Sequence, residues 1–121
     1  MPGEGARRQI GLWILTGLLA LVYAASGGMK LLGAPQLVEN FAKWGYPDWF
    51  RIAIGLAEVT GAVLLLVPRV AWLAGAGLSV IMLGAVFTHL RTPGETFIAA
   101  VPFVCLILLG VVTYARRPQA G

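Results

Sequence analysis

The stretch Ile52-Ala-Ile-Gly-Leu-Ala-Glu-Val-Thr-Gly-Ala-Val-Leu-Leu-Leu-Val67 decides how this chain is read. It is long enough to cross a bilayer and lacks the period-two alternation of a strand. Within hydrocarbon only helices and closed barrels satisfy every backbone polar group, so the run reads as a membrane helix. One residue breaks the apolar pattern. A charge at a helix centre costs about 2.5–3.5 kcal/mol on insertion scales. Glu58 therefore needs a partner, a proton or a function.

Three further runs resemble it. The four candidate spans cover residues 9–32, 49–67, 70–90 and 96–115, each near the ~20 residues that cross ~30 Å of hydrocarbon. Of the 121 residues, 59% are hydrophobic and 12% are charged, against about 25% charged in soluble domains. The expected fold is all-α, a single integral membrane domain built as a four-helix bundle. Pro68-Arg69 makes a tight turn between the second and third spans, and Arg91-Thr-Pro-Gly-Glu95 separates the third from the fourth. The net charge of +4 is spread over the span ends, where Lys and Arg anchor helices to headgroups. It forms no nucleic-acid face, so the lipid bilayer is the expected partner.

The segment between the first two spans differs. Pro35 suits a first helical position. Leu37, Val38, Phe41 and Trp44 share one face, with Glu39 and Lys43 as an i,i+4 pair on the other. Gly45 and Pro47 end the pattern. A short amphipathic helix over about residues 35–44 lying in the interface follows. Phe41, Trp44, Tyr46 and Trp49 are its candidate mouth or lid over whatever lies beneath.

Four crossings put both termini on one side. That side carries Arg7, Arg8, Arg69, Arg116 and Arg117, against Lys30, Lys43, Arg51 and Arg91 on the other. The positive-inside rule then places the termini in the cytoplasm, with the cell membrane as the location. Arg7-Arg8 and Ala24-Ala25-Ser26 have the outline of a signal peptide. The apolar run passes beyond them to Leu32, which favours a retained first helix.

Side-chain direction links the polar residues. A helical side chain leans toward the N-terminus of its own helix. Lys30 and His89, near the far ends of spans one and three, therefore lean inward. Glu58 in the reversed second span leans outward toward them. Each shares a face with small residues: Ser26 and Gly27 beside Lys30, Gly55 and Gly61 beside Glu58, Ala85 beside His89. Small faces allow close helix approach. A Lys30–Glu58–His89 cluster with Ser26 is thus the candidate ligand-binding or proton-handling site. Plainer roles stand beside it: a snorkelling Lys30, a His89 at the helix end, a Glu58 in a structural ion pair. Pro102 is able to kink the otherwise apolar fourth span. The lone Cys105 excludes an internal disulfide or a Cys-x-x-Cys pair. One histidine gives no bis-His haem site, and no metal-ligand spacing occurs.

The ordered pieces Ser26-Gly-Gly-Met-Lys-Leu31, Phe41-Ala-Lys-Trp-Gly-Tyr-Pro47, Gly55-Leu-Ala-Glu-Val-Thr-Gly61 and Met82-Leu-Gly-Ala85 through Thr88-His89 resemble the DoxX-like family of small membrane proteins. The likeness runs from the first span through the third, and Lys30, Glu58 and His89 match its recurrent polar positions. It implies a four-helix membrane fold. Some relatives are linked to respiratory or sulfur oxidoreductases, including a thiosulfate:quinone oxidoreductase subunit; others belong to oxidative-stress complexes or act as assembly factors. The expected function is a quinone- or lipid-binding membrane subunit associated with a partner oxidoreductase, or a homo-oligomer, with quinone as the candidate ligand. The alternative is a membrane interaction or assembly factor whose polar cluster is structural. Direct thiol chemistry is disfavoured by the single cysteine.

Overall fold

A computed structural model describes residues 3–118; residues 1–2 and 119–121 of the expected single domain lie outside the described residues. It contains α1 (Glu4–Leu32), α2 (Pro35–Lys43), α3 (Asp48–Leu65), α4 (Ala71–Arg91), a 3-10 turn (Phe97–Ala99) and α5 (Ala100–Arg116). No strand occurs among the described residues. Three helical segments are long and apolar enough to cross a membrane: α1, α4 and the stretch Phe97–Arg116. The fourth member of the bundle, α3, has 18 residues, or about 27 Å of rise, and carries Asp48, Arg51 and Glu58.

The punctuation is chemical. Gly33 adopts the left-handed conformation at φ 73° and closes α1, with its N–H donating to the Lys30 carbonyl and the Ala34 N–H to the Met29 carbonyl. This is the paired bond pattern that satisfies orphan carbonyls at a helix end. Gly45, at φ 86°, ends α2 in the same way through Ala42 and Phe41. Pro35 opens α2 at its first turn, where a missing N–H costs nothing. Pro102 falls in the first turn of α5, just after the 3-10 turn, where its missing N–H costs least. The first helix begins at Glu4, earlier than the apolar pattern at Gln9, and α3 ends at Leu65, before Val67.

Helix α1 packs most extensively on α3, and α4 on α5. The α1–α3 contact is backbone on backbone at Gly27 and Gly55. A Cβ added to Gly27 would stand 2.7 Å from the Gly55 carbonyl oxygen, and one added to Gly55 would stand 2.9 Å from the Gly27 carbonyl oxygen. Such small-residue crossings let membrane helices approach without a hydrophobic drive between them. Leu19, Tyr23, Ala62, Leu65, Leu78 and Leu109 form the core. Leu21, Val80, Phe97 and Val101 stay exposed, as expected for an exterior solvated by lipid chains.

Candidate ligand site

The α1–α3 crossing sets Lys30 against Glu58. Lys30 Nζ donates to Glu58 Oε1 at 2.8 Å and to Ser26 Oγ at 2.7 Å. Ser26 Oγ in turn donates to the same Glu58 oxygen at 3.1 Å. Glu58 is 1% exposed. The ion pair and hydroxyl offset much of the penalty of burying that charge. Both bonds fall on Oε1. Among the described residues Oε2 accepts none, and one of the three Lys30 N–H donors is uncommitted.

His89 is not part of this cluster. The structure divides the expected trio: His89 Nδ1 lies 2.8 Å from Glu95 Oε1, in the loop after α4. Glu95 also accepts from Trp44 Nε1 at 3.0 Å and from Lys43 Nζ at 2.6 Å. The three bonds occupy both carboxylate oxygens. Lys43, first, and His89 hold this carboxyl well below its ordinary value, at about 2. Arg91 donates to the Trp44 carbonyl at 2.7 Å and stacks over the Tyr46 ring. Thr88 Oγ1 donates to the Gly84 carbonyl at 2.8 Å, so in the 2.6 Å contact of Tyr46 with Thr88 the phenol is the donor.

Both polar centres line one cavity of about 930 Å³. Lys30 and Glu58 form one pole; His89, Glu95 and Lys43 form the other. Between them run Phe41, Tyr46 and Phe50, whose rings pack on one another with centroids 5.0–6.4 Å apart. Apolar α3 and α4 residues, Ile54 and Met82 among them, complete the lining. Trp44 lies at the rim, edge-on to His89 at 5.3 Å. Trp49 does not line the cavity; it is 67% exposed and packs on Phe50, which takes the place expected of it. The reason is register: of two adjacent residues on α3, Phe50 faces α2 and Trp49 faces outward.

Three residues with structural or site roles carried weak sequence signals. Glu95 read as a loop charge beside a Pro-Gly turn. Arg51 read as an interfacial anchor, yet it is 6% exposed. Its guanidinium donates to the Lys30 carbonyl and pairs with Asp48 Oδ1 at 3.1 Å, so it caps the α1 C-terminus from α3. The i,i+3 spacing of Asp48 and Arg51 was the available clue. Tyr23 is 2% exposed, and its hydroxyl, beside the Cys105 thiol, has no hydrogen-bond partner among the described residues. Among the described residues no group of His, Cys, Asp and Glu could hold a metal ion.

An all-helical membrane bundle with an amphipathic helix over a polar-poled cavity defines the class of protein. The chain belongs to the DoxX-like family, whose sequence profile matches residues 14–116. It is also similar to the uncharacterized protein YdgD of Bacillus subtilis (strain 168), at 32% identity over 95 residues, covering 74% of this chain and 83% of that protein. No solved structure matches it.

Proposed function

We propose that the chain is a membrane subunit that holds a quinone, or a lipid with a comparable ring headgroup, for a partner oxidoreductase. The observation that carries this reading is the cavity itself. Its aromatic wall offers a face for a planar ring, and its two polar centres offer donors and an acceptor without being filled by each other. Ligand pockets combine apolar walls with a few placed polar groups in this way. The partner supplies the electrons; Glu58, Lys30 and His89 supply hydrogen bonds and exchangeable protons. The bilayer surrounds the chain, and the cell membrane with cytoplasmic termini fits the arginines at the terminal side.

The second reading is an interaction or assembly factor. What favours it is the saturation of Glu58 Oε1 by Lys30 and Ser26, a bonding pattern that a purely structural lock would also show. Quinone titration of purified protein in nanodiscs separates the two. Quinones quench indole emission, so Trp44 at the cavity rim reports binding, and Trp44→Phe removes most of the response. Glu58→Gln is expected to weaken binding about tenfold. A folded protein that binds no quinone, and whose Glu58→Gln variant fails only in assembling with a partner, sinks the quinone reading.

A further inference from the structure

The separation of the two polar centres has a consequence for the ligand. An added Cβ on Gly61 of α3 would meet the Leu78 side chain of α4 at 2.9 Å, so these residues lie level across the antiparallel pair. Glu58, three residues before Gly61, is then level with Ile81. His89 stands eight residues further along α4, an offset of about 12 Å at 1.5 Å per residue. The helices run in opposite directions, so Glu58 and His89 lean toward each other and their polar ends are closer than their backbones. A six-membered ring with oxygens at opposite ends, plus a hydrogen bond at each, spans on the order of 10 Å.

The uncommitted atoms match. At one pole Glu58 Oε2 and one Lys30 N–H remain for a ligand. At the other, the Glu95 carboxylate is taken up by Lys43, Trp44 and His89. Glu95 therefore offers the ligand nothing directly. It commits Nδ1 of His89 and leaves Nε2 as the nitrogen with capacity to spare. A neutral ring accepts at Nε2 from a hydroxyl, and a protonated one donates there to a carbonyl. Both oxidation states of a quinoid ring present one of these groups.

We infer that the cavity takes a ring bearing oxygens at two opposite ends, one held by Lys30 and Glu58 and the other by Nε2 of His89, with Glu95 as the residue that positions His89. This inference rests on the ring-ligand reading above and narrows it to two-ended recognition. Glu95 is a positioning residue; it acts through the imidazole.

The chain has one histidine, so its ring nitrogens give a single pair of nitrogen-15 resonances. In phosphatidylcholine nanodiscs, decylbenzoquinone is expected to move the Nε2 resonance and leave Nδ1 in place. Glu58→Gln and His89→Phe are each expected to weaken decylbenzoquinone about tenfold. With para-decylphenol, which has one oxygen, only one of these variants should matter. Glu95→Gln is expected to change the tautomer ratio of His89 and to lower affinity, a signature that loss of a purely structural contact would not produce. If decylbenzoquinone quenches Trp44 and depends on Glu58 while the His89 resonances do not move, two-ended recognition is wrong and the ring-ligand reading stands. If neither probe binds to folded wild-type protein, the ring-ligand reading fails and takes this inference with it.

Discussion

Gly27→Ala probes the contact on which the Lys30–Glu58 register depends. The new Cβ would lie 2.7 Å from the Gly55 carbonyl oxygen, 2.8 Å from Val59 Cγ2 and 2.9 Å from the Val59 backbone nitrogen. Two of these three are α3 backbone atoms, so no rotamer change relieves the clash. Reaching ordinary contact at 3.4 Å requires α1 and α3 to part by about 0.7 Å. The same movement stretches the 2.8 Å bond between Lys30 Nζ and Glu58 Oε1 to about 3.5 Å, the limit of a hydrogen bond. Overpacking of this kind costs about 1–3 kcal/mol. Unfolding in mixed micelles titrated with dodecyl sulfate should show that loss. Gly28→Ala is the control, because a Cβ there meets nothing within 4 Å and Ala is the better helix former. The second arm is coupling. Glu58→Gln should cost less in the Gly27→Ala background than in wild type, because the pair is already weakened. Gly27→Ala as stable as Gly28→Ala, with the Glu58→Gln penalty undiminished, would refute the reasoning.

Other perturbations follow from the same geometry. Glu58→Gln leaves Lys30 buried without its partner and should cost about 3 kcal/mol, whereas the Lys30→Met, Glu58→Met double variant should recover most of it; a double variant no more stable than the single would mean that apolar packing cannot replace the pair. The Glu95 carboxyl is held at about 2, below its ordinary 4.5. A depressed folded value means its contribution is complete above pH 4.5 and drains as pH falls through about 2. The melting midpoint of wild-type protein should decline across that window, and Glu95→Gln should lack this part of the decline. Arg51→Met removes the buried guanidinium bond to the Lys30 carbonyl, leaving it the 3.3 Å Gly33 N–H bond, and removes the pairing with exposed Asp48; it should cost about 1–3 kcal/mol. Arg51→Lys should restore less than half of it, since an ammonium lacks the fork that reaches both partners.

The fold was legible because the bilayer leaves few options. Four apolar runs, Gly45 as a helix stop and Pro35 as a helix start each have one physical reading, and the structure places helices accordingly, while the Gly33 stop of α1 was not read. Lys30 and Glu58 were legible as a pair because each shares a helix face with small residues, Gly27 and Gly55, and those faces meet. His89 was legible as inward-facing but not by partner. The expectation set it at the depth of Glu58 from direction alone, whereas the Gly61–Leu78 contact places its backbone about two helical turns away. Inter-helix register is a tertiary quantity, and no local pattern encodes it. Glu95 was hidden for the same reason. Its bonds to Lys43 and Trp44 span 52 and 51 residues, across a loop whose path only the assembled bundle determines.

The two polar centres tie different parts of the chain, and that difference bears on function. The Lys30–Ser26–Glu58 centre lies within the tightly packed α1–α3 pair, so its geometry is inherited from the Gly27–Gly55 crossing. The Glu95 centre joins the end of α2 and its following loop to the α4–α5 side, with Arg91 and Thr88 adding bonds to Trp44 and Tyr46. One pole is therefore set by a close backbone contact. The other is a set of side-chain bonds, two of them from the exposed Lys43 and Arg91, which surface screening weakens. A ligand that bridges the poles would bind a rigid floor and a breakable rim. Entry by way of the Trp44 and Glu95 bonds would then leave the Lys30–Glu58 geometry intact.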